Sequence, residues 1–282
     1  MSFSLDYALK THPGQVRPLN EDALGADPSC GLFVLADGLG GYNAGEVASV
    51  MAISSVLERL ASSIDKFDVD EGAFTPDEAI YDTVTDINAN IYNAALNSTA
   101  FEGMATTLVI GWFLGGRLWV AHTGDSRLYR YRDSMLEQLT RDHSFSQELL
   151  DAGMVTEEEA RSLPAKNLVT RALGAAADIE PEIHNVDVLA GDIILLCSDG
   201  LTEMVGSYEI EGLLSIHEAD MHETARRLVD LANESGGRDN ISVILVRVSS
   251  VTKPEASATA AIEVTEGELV DVEPADSTLA PA

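Results

Sequence analysis

The sequence predicts an α+β fold in which antiparallel sheets are covered by helices. Three observations carry this. Apolar runs of strand length are joined by short turns such as Gly115–Gly116 and Asp133–Ser134. Two long helical patterns follow one another directly instead of alternating with strands. An acid beside Gly, Asn or Glu also borders most of the apolar runs: Glu21–Asp22 in RPLNED, Asp37 in FVLADGLGG, Asp125 in VAHTGDSR, Asp199 in IILLCSDG and Asp239 in GGRDNISVILV.

In chain order, Leu5–Thr11 and Leu32–Ala36 read as strands. Ala44–Ile64 has apolar residues at helical spacing with Asn43 in the N-cap position, Asp65–Thr75 is a polar loop, and Pro76–Leu96 is a helix with proline in its first turn. Thr106–Leu114 and Arg117–His122 form a hairpin, and Leu128–Arg132 with Met135–Leu139 a second. From Ser144 to Ala172 the sheet pattern is interrupted by a short helix ending at Gly153 and another over Thr156–Ser162, capped by Thr156 and Glu159. Ile183–Val188 and Asp192–Cys197 return as strands, His222–Asn233 is an amphipathic helix, and Ile241–Val248 is the last apolar strand. One domain is therefore expected over residues 1–250. Residues 251–282 carry seven acids against Lys253 alone and no periodicity, which predicts an acidic disordered tail.

The 282 residues can bury a large core, and a net charge of −30 argues against nucleic acid and anionic membrane as partners. Cys30 and Cys197 are the only cysteines, and Cys197 lies inside an apolar run, so buried thiols are expected rather than a disulfide. The start MSFSLDYALK has no apolar core of signal-peptide length, and no stretch reads as approaching transmembrane length, so the expectation is a soluble cytoplasmic protein.

A carboxylate at the end of a buried strand sits where unpaired charge is expensive. Several of them together need a common counterion, and oxygen-rich sites of this kind suit Mg²⁺ or Mn²⁺. One Asp-Gly is a common turn, whereas the ordered set of strand-border acids is not explained by turns.

The segments RPLNED, DGLGG, GMATT, HTGDSRLYR, LTRDHS, TRALG, CSDGL and GGRDNIS, spread from Tyr7 to Val248, together resemble the metal-dependent type 2C Ser/Thr protein phosphatases (PPM family) in their single-domain bacterial form. The resemblance implies a four-layer αββα sandwich with a dinuclear metal site at one edge, a catalytic domain over 1–250 and a mobile flap at about 144–172. It implies that Asp37 bridges two ions, Mg²⁺ or Mn²⁺, with the Gly38 carbonyl on one, Glu21 and Asp22 holding waters of that ion, and Asp199 and Asp239 on the other. Asp125 would share a third, weaker ion with Asp199; its alternative is a turn residue or a partner of Arg127. Arg17 would grip a phosphoryl oxygen and act with Asp37 in catalysis, its alternative being an ion pair to Glu21. Thr106 and Thr107 read as packing or hydrogen-bonding residues near the site, Asn240 as orienting Asp239, Asp142 as a cap for the following helix, and His143 as structural.

The implied reaction is direct attack of a metal-bound hydroxide on phosphoserine or phosphothreonine in proteins, by a monomer opposing a bacterial Ser/Thr kinase, without a covalent enzyme intermediate. Neither cysteine lies in a Cys-x₅-Arg loop. One feature departs from the pattern. Where relatives carry a histidine after Asp-Gly or after Gly-Gly, this chain has Leu39 and Tyr42. Leaving-group protonation is left to water, Tyr42 or His12. The rival readings are a silent binding module on the same fold and an enzyme acting on nucleic-acid phosphoesters. The second conflicts with the charge and lacks a basic track.

Overall fold

The computed structural model describes residues 2–40, 44–69, 75–165, 167–217 and 220–252. The chain runs β1 (Ser2–His12), β2 (Ala23–Asp27), β3 (Leu32–Ala36), β4 (Gly38–Leu39), α1 (Ala44–Val69), α2 (Pro76–Asn97), β5 (Ala105–Thr106), β6 (Leu108–Leu114), β7 (Arg117–Thr123), β8 (Arg127–Arg132) and β9 (Met135–Gln138). It continues through α3 (Phe145–Asp151), α4 (Glu157–Ser162), β10 (Glu182–Asp187), β11 (Ile193–Cys197), α5 (Asp199–Thr202), α6 (Ser207–His217), α7 (Met221–Glu234) and β12 (Ile241–Thr252).

Two five-stranded antiparallel sheets result, with orders β1-β12-β11-β8-β9 and β10-β7-β6-β3-β2, beside a short β4–β5 pair. β3 and β11 are apolar and buried at every position, because both faces of each are covered. In β3, Leu32, Val34 and Ala36 pack with Ala48, Val56 and Leu60 of α1 and Ile80, Val84 and Ile87 of α2. The alternate residues Phe33 and Leu35 join Val109, Leu128, Ile194, Leu196 and Ile244 between the sheets. In β11 the same alternation sends Ile193, Leu195 and Cys197 toward Leu214 of α6 and Leu228 of α7. The layers are therefore helix, sheet, sheet, helix, as expected. Cys30 and Cys197 are free thiols, and burial pushes Cys197 up to about 12.

Turns and caps follow local chemistry. Asp133 and Ser134 adopt left-handed φ values of 50° and 62°, and Gly115 and Gly116 values of 63° and 87°, as two-residue hairpin turns demand. Pro76 opens α2, with Thr75 and Glu78 in a capping box, and Thr156 and Glu159 do the same for α4.

Several elements differ from the expectation. β2, α5 and α6 carry no clear period: β2 is ALGAD, with Gly25 where a Cβ would stand 2.4 Å from Cγ2 of Ile53 in α1. The predicted strand Thr106–Leu114 divides at Thr107, and α1 continues to Val69 through the start of the expected loop. The expectation that no stretch approaches transmembrane length also fails, since Ala44–Ile64 is long and apolar enough. That helix lies on a sheet, with Ala44, Ala48, Ala52, Val56 and Leu60 buried in the core. β12 runs to Thr252 rather than ending at Val248, pairing Val251 with Phe3. Asn43, Tyr42 and the tail from residue 253 lie outside the described residues.

Candidate metal centre

Strand register brings the acids to one edge of the sandwich. Ala36 at the end of β3 pairs with Ala23 at the start of β2, so Asp37 and Asp22 are adjacent. In the same sheet Thr123 closes β7 opposite Leu108, which places the Gly124–Asp125 turn at that edge. In the other sheet Cys197 pairs with both Arg127 and Val243, so Asp199 and Asp239 emerge beside the same turn.

Each acid is aimed by its neighbours. The Asp37 backbone is held three times: its N–H donates to Thr107 Oγ1 at 2.9 Å, and its carbonyl accepts from the Thr107 N–H and the Thr106 hydroxyl, both at 2.8 Å. Asp22 Oδ2 accepts from Ser198 Oγ at 2.9 Å, and Ser198 Oγ in turn accepts the Ser242 N–H at 3.0 Å. Gly38 N–H donates to the Glu21 carbonyl at 3.2 Å, and a Cβ on Gly38 would stand 2.3 Å from the Gly45 carbonyl, so only glycine fits against α1 there. The Glu21 carboxylate accepts a backbone hydrogen bond from Gly45 in the first turn of α1, where a negative charge is favoured; burial nevertheless raises its pKa.

Asn240 spends its side chain on the loop before β2. Its Oδ1 accepts the Glu21 N–H at 2.8 Å, while its Nδ2 donates to the carbonyls of Pro13 and Leu19 at 3.0 and 2.8 Å. It thereby joins Glu21 to Asp239 as well as orienting its neighbour, whose Oδ1 accepts the Asn240 N–H at 2.9 Å.

Arg17 pairs with Asp239 at 2.7 Å, which replaces the expected alternative of a bridge to Glu21. Arg127 does not pair with Asp125; its guanidinium forks onto Asp142, with Nη2 at 2.6 Å and Nε at 2.9 and 3.0 Å. Asp142 is thus not the cap of the following helix, a place taken by Ser144, which accepts from Gln147 N–H. His12 Nδ1 accepts the Gly14 N–H at 2.9 Å in the turn leading to Arg17. His143 is buried, in agreement with a structural reading.

The electrostatics record the crowding. Burial, followed by repulsion from Asp22, Asp199, Asp125 and Asp239, pushes Asp37 well above the carboxylate range. Burial, then Asp125, Glu203 and Asp239, does the same to Asp199. Burial lifts Asp22 to about 6 and, with repulsion from Asp142, Asp125 to about 7. Among the described residues, Asp22 Oδ1 and Glu203 Oε1 are buried without a hydrogen-bond partner. Hard anionic oxygens, several per site and underserved by cations of the chain itself, are the donor set that divalent Mg²⁺ or Mn²⁺ takes. Asp125 and Asp199 also line a cleft of about 820 Å³ that extends past Glu203 to Tyr208.

Sequence reasoning missed Ser198, Ser242 and Glu203. Ser198 and Ser242 flank predicted acids inside apolar runs, where a hydroxyl needs a partner; that was the available signal.

The family model for protein phosphatase 2C matches residues 15–245. The serine/threonine protein phosphatase PstP of Mycobacterium tuberculosis is 39% identical over 251 residues, covering 86% of this chain and 45% of its own, so the chain spans less than half the length of that relative. The serine/threonine phosphatase Stp of Listeria monocytogenes is 37% identical over 84% of this chain and 93% of its own. The solved catalytic domain of PstP in complex with two manganese ions superposes with a TM-score of 0.74 at 38% identity, covering 88% of this chain and 99% of that one.

Proposed function

The chain belongs to the protein phosphatase 2C family, and on that premise we propose that it is a metal-dependent protein-serine/threonine phosphatase acting on phosphoserine and phosphothreonine esters. The observation that carries the reading is the convergence of Asp22, Asp37, Asp125, Asp199 and Asp239, drawn from both sheets, on one edge where burial and then the charges of neighbouring acids raise Asp37 and Asp199. Two divalent cations, Mg²⁺ or Mn²⁺, when bound there, supply acidified water and neutralise phosphoryl charge. The two manganese ions of the related PstP catalytic domain support that stoichiometry.

Asp37 would be shared between the cations, with the Gly38 carbonyl, Glu21 and Asp22 serving one and Asp199 and Asp239 the other. Asp125, with Asp199, would hold a third and weaker ion. The rest of the chemistry belongs to the protein. Thr106 and Thr107 keep the Asp37 backbone from turning as charge develops, so orientation is fixed before substrate arrives. Arg17 is half exposed beside Asp239, where its planar guanidinium would take phosphoryl oxygens in bidentate fashion. Leu39 cannot give a proton and His12 Nδ1 is occupied by the Gly14 N–H; leaving-group protonation falls to water, with Tyr42, outside the described residues, and His12 Nε2 as the alternatives.

A silent binding module is the weaker reading, because every principal acid is retained. The phosphoprotein substrates imply a kinase that makes them. A cytoplasmic setting accords with the free thiols, and the charge of −30 disfavours nucleic-acid substrates. The test is to strip the protein of metal and assay a phosphothreonine peptide before and after adding Mn²⁺. Turnover that appears only with Mn²⁺ is expected; turnover unaffected by metal, or none with it, overturns the reading.

A further inference from the structure

Beyond the acid cluster, His122, His143 and Glu182 bring ligand atoms within 4.8 Å of one another, a set that zinc could use. Their hydrogen bonds exclude it. The Gly124 backbone N–H can only donate, and it points at His143 Nδ1 at 3.1 Å. The ring proton is therefore on Nε2, which donates to Glu182 Oε1 at 3.0 Å, so that nitrogen has no lone pair to offer a metal. His122 stacks on the same ring with centroids 4.8 Å apart and its own Nε2 2.7 Å from the Arg141 carbonyl.

His143 grips Gly124 twice, since its backbone N–H also donates to the Gly124 carbonyl at 2.9 Å. Its own carbonyl accepts the Thr170 N–H at 2.9 Å, which closes the base of the 144–172 segment. On the opposite side Gly124 is pressed against Thr107: with φ at +107°, a Cβ would stand 2.6 Å from Thr107 Cγ2. Thr107 is the residue that holds Asp37. The turn that carries Asp125 is thus fixed between the support of Asp37 and the imidazole of His143.

We propose that His143 is a positioning residue for the phosphatase reaction: its paired hydrogen bonds to Gly124 set the Asp125 turn, its carbonyl ties that turn to Thr170 near the end of the 144–172 segment, and its Nε2 ties it to Glu182 at the start of β10. This rests on the phosphatase reading. A carboxylate displaced by a fraction of an ångström from its working position loses rate more than substrate affinity, so the signature belongs in kcat.

The experiment compares the wild type with His143→Asn, His143→Gln and Glu182→Ala, measuring Mn²⁺-dependent turnover of a phosphothreonine peptide and hydrogen exchange at the Gly124 amide. Asparagine places an acceptor where Nδ1 stands and gives up Glu182. Glutamine is nearer the imidazole in volume, reaches the Glu182 end and gives up Gly124. His143→Gln is expected to lower kcat roughly tenfold or more at little-changed KM, the scale on which loss of a ligand-orienting partner acts, and to speed Gly124 exchange. His143→Asn should stay nearer wild type in both readouts. Glu182 is partly exposed, so Glu182→Ala should fold and show an intermediate loss of kcat. Glutamine performing as well as asparagine, a free Gly124 amide in the wild type, or wild-type kcat in Glu182→Ala overturns the proposal. If the wild type shows no Mn²⁺-dependent turnover, the phosphatase reading fails instead, and the exchange data still decide whether His143 holds the turn.

Discussion

Two carboxylates at different places in the sandwich are treated in opposite ways. Asp192, in the turn before β11, is 1% exposed and fully provided for: Arg132 reaches it with Nε at 2.6 Å and Nη2 at 2.5 Å, and the Leu189 N–H donates at 2.8 Å. Asp37, less deeply enclosed at the sheet edge, faces Asp22, Asp125, Asp199 and Asp239, while the nearby arginines are engaged elsewhere, Arg17 with Asp239 and Arg127 with Asp142. The fold can supply a cation to a buried acid when the acid is structural. Its failure to do so at Asp37 marks charge kept for ions from solution.

The comparison breaks most visibly by neutralising each acid in turn. Asp37→Asn, Asp199→Asn and Asp239→Asn should each lower Mn²⁺-dependent hydrolysis of a phosphothreonine peptide by roughly a thousandfold or more, about 4 kcal/mol of barrier, and weaken Mn²⁺ binding in calorimetry. Wild-type-like binding in the Asp37 or Asp239 variant would return them to turn residues. Asp192→Asn should behave in the reverse manner. It leaves Arg132 unpaired and should cost roughly 2–4 kcal/mol in denaturant unfolding, a buried-pair value reduced because Arg132 is partly exposed, with kcat of the folded enzyme unchanged.

Arg17→Ala sharpens the contrast from the cation's side. It should lower kcat/KM by about ten- to a hundredfold, through both KM and kcat, because a phosphate clamp binds and orients. A change in stability with unchanged kcat/KM would make it a structural counterion like Arg132.

Acidity gives a smaller effect. Asp22 and Asp125 have folded-state pKa values raised to about 6 and about 7, so between about pH 4 and 7 the metal-free folded protein holds protons that the unfolded chain has released. That stabilisation is complete below about pH 4 and is lost as pH rises through 6 to 7. Metal-free protein should therefore melt lower at pH 8 than at pH 5.5, and Mn²⁺ or Asp125→Asn should narrow the gap. An unchanged gap in Asp125→Asn would show that the cluster is not its source. The smallest effect is expected from removing the residues after Thr252: peptide turnover should stay within about twofold of the full chain, since the Phe3–Val251 pairing that closes β12 is kept. A truncated protein that folds but turns over far more slowly would place the boundary elsewhere.

What was legible in the sequence was what local chemistry controls. The continuous apolar runs at Leu32–Ala36 and Ile193–Cys197 marked strands buried on both faces, and the Gly, Asn and Glu neighbours at their borders marked the acids. β2 was hidden because Gly25, placed there for α1, breaks its apolar pattern. The choice of partner was hidden for a different reason. Nothing near Arg127 in the chain distinguishes Asp125, two residues before it, from Asp142, fifteen after it; the β8–β9 hairpin decides between them by returning Asp142 to its side. The support of Asp22 by Ser198 spans 176 positions and exists only when the sheets are docked.

That docking has a kinetic side. Asp22 and Asp37 belong to one sheet, Asp199 and Asp239 to the other, and the Asp125 turn is the crossing from β7 to β8. Ions held by acids of both sheets would lack their full set of ligands until two separately formed sheets have met, which in a chain of such long-range contacts comes late. Bound cations would therefore act as a clasp put on after assembly: they would lengthen the life of the native state by slowing its opening and leave the rate at which it forms nearly untouched.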